Sequence, residues 1–169
     1  MSDVKAKTIS FIKKWEGGYA EIPGDKGGAT NSGITLSTFQ FYYGKTKTKL
    51  DLKKMTQSQW QYIFEKGFWN KIQCDKINDD SVKMIFCDWY WASANYAVKH
   101  VQKLAGVTDD GVVGPKTLEA INKINGKEMF TKIKNDRVSF VNSIVEKNPS
   151  QKKFLKGWLN RINSIGYLN

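Results

Sequence analysis

Asp79-Asp80-Ser81-Val82-Lys83-Met84-Ile85-Phe86-Cys87-Asp88-Trp89-Tyr90-Trp91-Ala92 is the stretch on which the fold turns. Val82, Ile85, Phe86, Trp89 and Ala92 recur at helical spacing, and Asp79 or Asp80 supplies an N-cap. The run is apolar almost all round. A helix of that kind lies inside a core rather than on its surface, so the sequence predicts a helical protein assembled around it.

The neighbouring segments agree. Downstream, a helix is expected from about Ser93 to Leu104, closed by Gly106. Pro115 after Gly114 opens another, since proline suits the first helical position. Met129–Val145 and Phe154–Ile165 give two more, separated by Asn148-Pro149-Ser150. Upstream, Thr56 and Gln59 form a capping box ahead of Trp60, Ile63, Phe64 and Phe68, and Ser37–Tyr43 reads as a short helix stopped by Gly44. At the N-terminus Ile9, Ile12 and Trp15, with Val4 and Thr8, make an apolar stripe that ends at Gly17-Gly18. Only Tyr19–Thr35, polar and rich in glycine, departs from this period; it reads as turns or a small β-hairpin. The class is mainly α.

The bulk properties narrow the function classes. A chain of 169 residues builds one proper core, and no apolar run reaches the roughly 18 residues of a membrane span. Met1–Lys14 lacks the unbroken apolar region of a Sec signal peptide, so export is expected to need a holin, a dedicated secretion system or cell lysis. The net charge of +11 draws the protein toward polyanions. No zinc finger, RNA-binding signature or recognition helix accompanies that charge, so nucleic acid ranks last among partners. The lysines of 45–54 and 152–156 read as solvated faces that also hold the protein on an anionic envelope. One histidine, His100, and two cysteines, Cys74 and Cys87, make no metal site, and no metal or cofactor is expected. Cys87 reads as a buried thiol, with pairing to Cys74 left open.

The chemistry concentrates between Glu16 and Thr35. Glu16 falls at the end of an apolar helix, where the negative end of the macrodipole disfavours a carboxylate, as does packing beside Trp15 and Tyr19. A group so placed suits the general acid of glycoside hydrolysis, which needs one carboxylic acid and usually a second carboxylate. Asp25 follows across a tight turn, where a hairpin folded back on the helix end would set it opposite Glu16. Each element alone has a bland reading: a Glu at a helix end is usually solvated, and Asp-x-Gly-Gly is a common turn. The combination is much rarer.

Glu16-Gly-Gly-Tyr19…Asp25-Lys-Gly-Gly-Ala-Thr30-Asn-Ser-Gly33-Ile-Thr35 resembles the N-terminal signature of glycoside hydrolase family 108, muramidase-like proteins that include secretion activators. Glu16, eight residues, Asp25 and then a nearby Thr30 is also similar to the catalytic order of phage-type lysozymes, with the Asp-to-Thr interval a residue shorter here. Trp89-Tyr-Trp91-Ala-Ser93-Ala-Asn95-Tyr96, Val101-Gln102 and Asp110-Gly111-Val-Val-Gly114-Pro115-Lys-Thr117-Leu118 resemble the peptidoglycan-binding region of the same proteins. The last element also reads as a plain helix–turn–helix connection.

The resemblance implies a lysozyme-like helical domain over 1–169, with a catalytic N-terminal lobe at 1–75 and a helical wall-binding lobe at 76–169. It implies cleavage of peptidoglycan glycan strands by a monomer at the cell wall or periplasm, with Glu16 as acid and Asp25 and Thr30 completing the catalytic set. Tyr19, Thr35, Trp91, Asn95 and Tyr96 are the expected substrate contacts. Trp89 and Trp91, two positions apart, cannot share a helical face, so one of them packs inward. The alternative is a wall-binding or secretion-assisting protein that cleaves nothing.

Overall fold

The computed structural model describes residues 3–21 and 28–168. The chain is mainly α and divides into two compact units, Met1–Phe68 and Trp69–Asn169.

The first unit begins with α1 (Asp3–Trp15), which buries Val4, Thr8, Ile9 and Ile12. Thr8 enters this face because its hydroxyl donates to the Val4 carbonyl at 2.7 Å. Three short antiparallel strands follow in sequence order: β1 (Tyr19–Ala20), β2 (Thr30–Asn31) and β3 (Ile34–Thr35). The glycine-rich segment thus contributes a small sheet, with a tight hairpin between β2 and β3. Its two central residues, Ser32 and Gly33, have φ of 47° and 78°, the positive pair of a type I′ turn whose twist suits a two-residue hairpin.

Three helices support the hairpin: α2 (Leu36–Tyr43), α3 (Lys49–Lys53) and α4 (Gln57–Phe64). Asn31 Nδ2 donates to the Leu52 carbonyl at 2.8 Å, and the Trp60 indole donates to the Ser32 carbonyl at 2.9 Å. Trp60 also stacks on Phe64 at 5.4 Å, and both are buried. The Thr56–Gln59 capping box forms as the sequence predicts. A second box, Thr48–Asp51, starts α3 inside the lysine-rich segment, where Leu52 turns into the core. After α4 the backbone widens into a π-helical turn, Glu65–Trp69. A side chain at Gly67 would meet the Tyr42 hydroxyl at 2.8 Å.

The second unit is helical throughout its ordered elements. α5 (Asp80–Ser93), capped by Asp79, is the expected central helix and packs against α6 (Asn95–Leu104) and α8 (Gly126–Lys147). α7 (Pro115–Lys123) starts on its proline, and α9 (Lys152–Asn163) packs on α8. Of the boundaries that differ from the sequence reading, two have a clear structural cause. The helix expected from Ser93 starts at Asn95, because Ala94 adopts φ 46°, ψ −128° and breaks the chain direction between α5 and α6. The helix expected from Met129 starts at Gly126, where any side chain would clash with the Asp79 carboxylate. That carboxylate is held in turn by the Tyr167 hydroxyl at 2.6 Å.

One charged group lies at the centre of this unit. Asp88 is fully buried on α5 and accepts from Arg137 of α8 at 2.7 Å and from Arg161 of α9 at 2.7 Å. Cys74 and Cys87 are free thiols, both buried.

Candidate active site

α1 ends at Trp15, and the Glu16 N–H closes its last turn on the Ile12 carbonyl at 3.1 Å. The Glu16 side chain is half-buried. Beside it, the Trp15 indole nitrogen is buried without a hydrogen-bond partner among the described residues. Among the described residues, no atom lies within 4 Å of where a side chain would begin at Gly17 or Gly18. Packing among the described residues therefore does not demand glycine at either position.

The sheet carries the next residues. Thr30 of β2 pairs with Thr35 of β3 and with Ala20 of β1. Directly opposed positions project to the same face, so the pairing brings the two threonines together. Their roles differ: Thr35 is the N-cap of α2, accepting from the Thr38 N–H at 3.1 Å. Its hydroxyl also lies 2.9 Å from those of Ser37 and Thr38. Among the described residues Thr30 has no such capping role and takes part in the ladder alone.

Tyr19 of β1 donates to Glu21 Oε2 at 3.1 Å, and Lys53 lies 5.5 Å from its ring centre. Desolvation, reinforced by Glu21, raises the Tyr19 phenol above its usual range. Glu21 in turn is paired with Lys49, whose hydrogen bond, followed by that of Tyr19, holds the carboxyl below its usual range. The sequence reading missed Glu21 and the α3 lysines. The available signal was alternation along the strand, which sets residues 19 and 21 on one face. Asp25 lies outside the described residues.

Trp91, Asn95 and Tyr96 belong to the second unit. Trp89 is the inward-packed member of its pair and Trp91 is half-buried. Asn95 borders a groove of about 260 Å³ together with Tyr90, Val98 and Val112. Tyr96 is 67% exposed, with its ring 6.1 Å from that of Phe140. His100 joins the same aromatic cluster, its Nδ1 2.6 Å from Asp136 Oδ2.

The Asp110–Thr117 loop is organised from within. Buried Gln102 donates to Asp110 Oδ1 at 2.7 Å, the Val112 carbonyl at 3.0 Å and the Thr117 hydroxyl at 3.2 Å. Its own oxygen accepts from the Gly111 N–H at 2.9 Å. Gly111, at φ 81°, makes the turn that brings these groups around a single amide. The loop's polar groups are thus engaged with Gln102, which favours the connection reading over direct ligand binding. Among the described residues no cluster of three His, Cys, Asp or Glu side chains is arranged for a metal. No helix among them is long and apolar enough to cross a membrane.

A helix ending in a glutamate, followed by a small sheet and a helical body, is the layout of a lysozyme-type glycoside hydrolase. Residues 9–94 match the profile of Glycosyl hydrolase 108, and residues 96–163 match that of a Predicted Peptidoglycan domain. A solved structure, that of SagA from Brucella abortus, is 32% identical with a TM-score of 0.81 over 95% of this chain and 90% of that one. A comparison with curated proteins returns no match. The chain belongs to the Glycosyl hydrolase 108 family. It is a glycoside hydrolase with a mainly α, lysozyme-like fold, and peptidoglycan in the cell wall is its substrate.

Proposed function

We propose that the chain hydrolyses the β-1,4 bond between N-acetylmuramic acid and N-acetylglucosamine, with Glu16 as the general acid. The observation that carries this reading is the position of Glu16 at the C-terminal end of α1, half-buried, within the segment that matches the family. The helix end disfavours negative charge there. Among the described residues nothing crowds the backbone at Gly17 and Gly18, which leaves room there for a flat sugar to approach.

In this scheme Glu16 protonates the departing glycosidic oxygen while Asp25 acts as base toward a water on the opposite face of the sugar. Thr30 holds that water in preference to Thr35, whose hydroxyl caps α2. Tyr19 forms a wall of the sugar site, fixed by Glu21 and covered by Lys53. The scheme implies inversion at the anomeric carbon and a carboxyl separation of about 6.5–9.5 Å, wide enough for the water. The second unit holds the wall polymer, with Trp91, Asn95 and Tyr96 as contacts.

The test is fragment analysis. Purified peptidoglycan is incubated with the wild type and with Glu16→Gln, and the released pieces are identified by mass spectrometry. Reducing-end muramic acid from the wild type alone is expected. Anhydro-muramic ends would identify a lytic transglycosylase instead, and equal release by Glu16→Gln would remove Glu16 from the mechanism.

A further inference from the structure

The second unit contains a cavity of about 210 Å³, several times the roughly 30 Å³ share of one water, that the scheme above does not use. Trp89 of α5, Phe140 and Ile144 of α8 and Trp158 of α9 form apolar walls, and Arg137 and Arg161 give it a polar side.

Arg137 distinguishes this cavity from an ordinary gap between helices. Its side chain is 4% exposed, and Nη1 donates to Asp88 Oδ2 at 2.7 Å. A guanidinium carries five N–H donors in a rigid fork. Among the described residues this is its one hydrogen bond, and the group borders the cavity. Burial alone would drive Arg137 toward deprotonation, but Asp88 opposes it, and an arginine remains a cation at neutral pH. Its other donors make no bond within the described residues and are not cut off from water, so they are left open to an occupant of the cavity that supplies oxygens.

The chemistry of the walls selects the kind of anion. A carboxylate matches the planar fork of a guanidinium in two parallel hydrogen bonds. The indole and phenyl walls suit a short aliphatic body. A phosphate, whose remaining oxygens need water or further donors, fits such walls poorly.

We infer that this cavity binds a small carboxylate with an apolar body, and that in the wall polymer its occupant is the free C-terminal carboxylate of a peptidoglycan stem peptide ending in alanine. The inference rests on peptidoglycan being the substrate. It makes this cavity a reader of the stem peptide, beside the polymer contacts at Trp91, Asn95 and Tyr96 of the same unit. Because a terminal carboxylate is free only on a stem that has not been cross-linked through it, the enzyme would be retained where the wall is least cross-linked.

The probe is N-acetyl-D-alanyl-D-alanine, titrated calorimetrically into the full chain, beside its C-terminal amide and inorganic phosphate. Saturable binding of the acid is expected, with the amide at least tenfold weaker and no competition from phosphate. Absence of saturable binding, equal binding of acid and amide, or displacement by phosphate each overturns the proposal. Ile144→Trp, at a half-buried wall position, is expected to weaken the acid at least tenfold while the chain stays folded and still cleaves glycan stripped of its peptides. Unchanged binding by a folded Ile144→Trp also overturns it. The acid–amide comparison on the unaltered protein decides the matter even where the variant does not fold. Failure of the hydrolase scheme would appear separately, as no release of glycan fragments, and would leave the dipeptide titration as it is.

Discussion

Replacing Asp88 by Asn tests how the second unit is held together. The side chain is fully buried and joins three helices, since its two oxygens accept from Arg137 on α8 and Arg161 on α9. An exposed ion pair contributes about 0–1 kcal/mol, screened by solvent and salt. Asp88 lies in the other regime, where removing one member of a buried pair costs about 3–5 kcal/mol because the partner's charge is left uncompensated. Asparagine preserves the shape but supplies one acceptor oxygen and turns an N–H2 toward a guanidinium. For a chain of this size each kcal/mol moves the melting temperature by roughly 2–4 °C, so a fall of roughly 6–20 °C is expected. Thermal and urea denaturation followed by tryptophan fluorescence measure it. The double variant Asp88→Asn with Arg137→Met should lose less than the sum of its parts, by about 0.5–3 kcal/mol, because it also removes a stranded cation. A loss below about 1 kcal/mol for Asp88→Asn, with additive double-variant behaviour, would show that the triad is solvated and would refute the reasoning.

Ala94→Gly should stabilise the chain by about 1 kcal/mol, since glycine takes the φ of 46° without the penalty alanine meets there; a higher urea midpoint checks it. Gln102→Ala should speed amide exchange across residues 110–117, because four hydrogen bonds converge on that amide, and unchanged exchange would show that the loop orders itself. The same loop has a pH signature. Hydrogen bonds, first from Gln102 and then from the Val112 N–H, hold Asp110 below the usual carboxylate range, so its contribution is complete above the unfolded value and is lost as pH falls through the lower folded one. Loop order followed by exchange should therefore persist at pH 5 and fail only in stronger acid. With a net charge of +11, cleavage of intact walls should fall as salt rises through the physiological range, while a short soluble glycan responds far less. Reversing lysines of 45–54 and 152–156 to Glu should reproduce that difference, and equal losses on both substrates would remove the tether.

Much of the fold was legible because the signals were local. The caps at Asp79 and Thr56, the proline that opens α7 and the unbroken apolar run of α5 each act within a turn or two of chain. The break at Ala94 was not legible, since alanine is the strongest helix former and only tertiary packing forces it out of the helix. The start of α8 was hidden for a related reason: Gly126 is a poor helix former, required by the Asp79 carboxylate from a distant segment. α3 was lost among lysines that are solvated as expected, although its capping box and buried Leu52 were there to be read. Of the candidate site, the order Glu16, Tyr19, Thr30, Thr35 could be read off the chain. The assignment of the Thr35 hydroxyl to a cap, the fixing of Tyr19 by Glu21 and Lys49, and the burial of Arg137 depend on residues far apart in sequence.

The two thiols give the second unit a built-in clock. Cys74 and Cys87 are fully buried, and burial, together with the neighbouring Cys74, raises the Cys87 thiol well above its usual range, so almost no Cys87 thiolate is present to react. An alkylating reagent can then modify either sulfur only during the moments when its helix opens. At low reagent concentration the labelling rate reports the population of the open form, and at high concentration it reports how often opening occurs. Because Cys74 opens a single 3-10 turn (Cys74–Lys76) while Cys87 lies within α5, mass spectrometry of the labelled chain would tell whether those elements open together or one at a time.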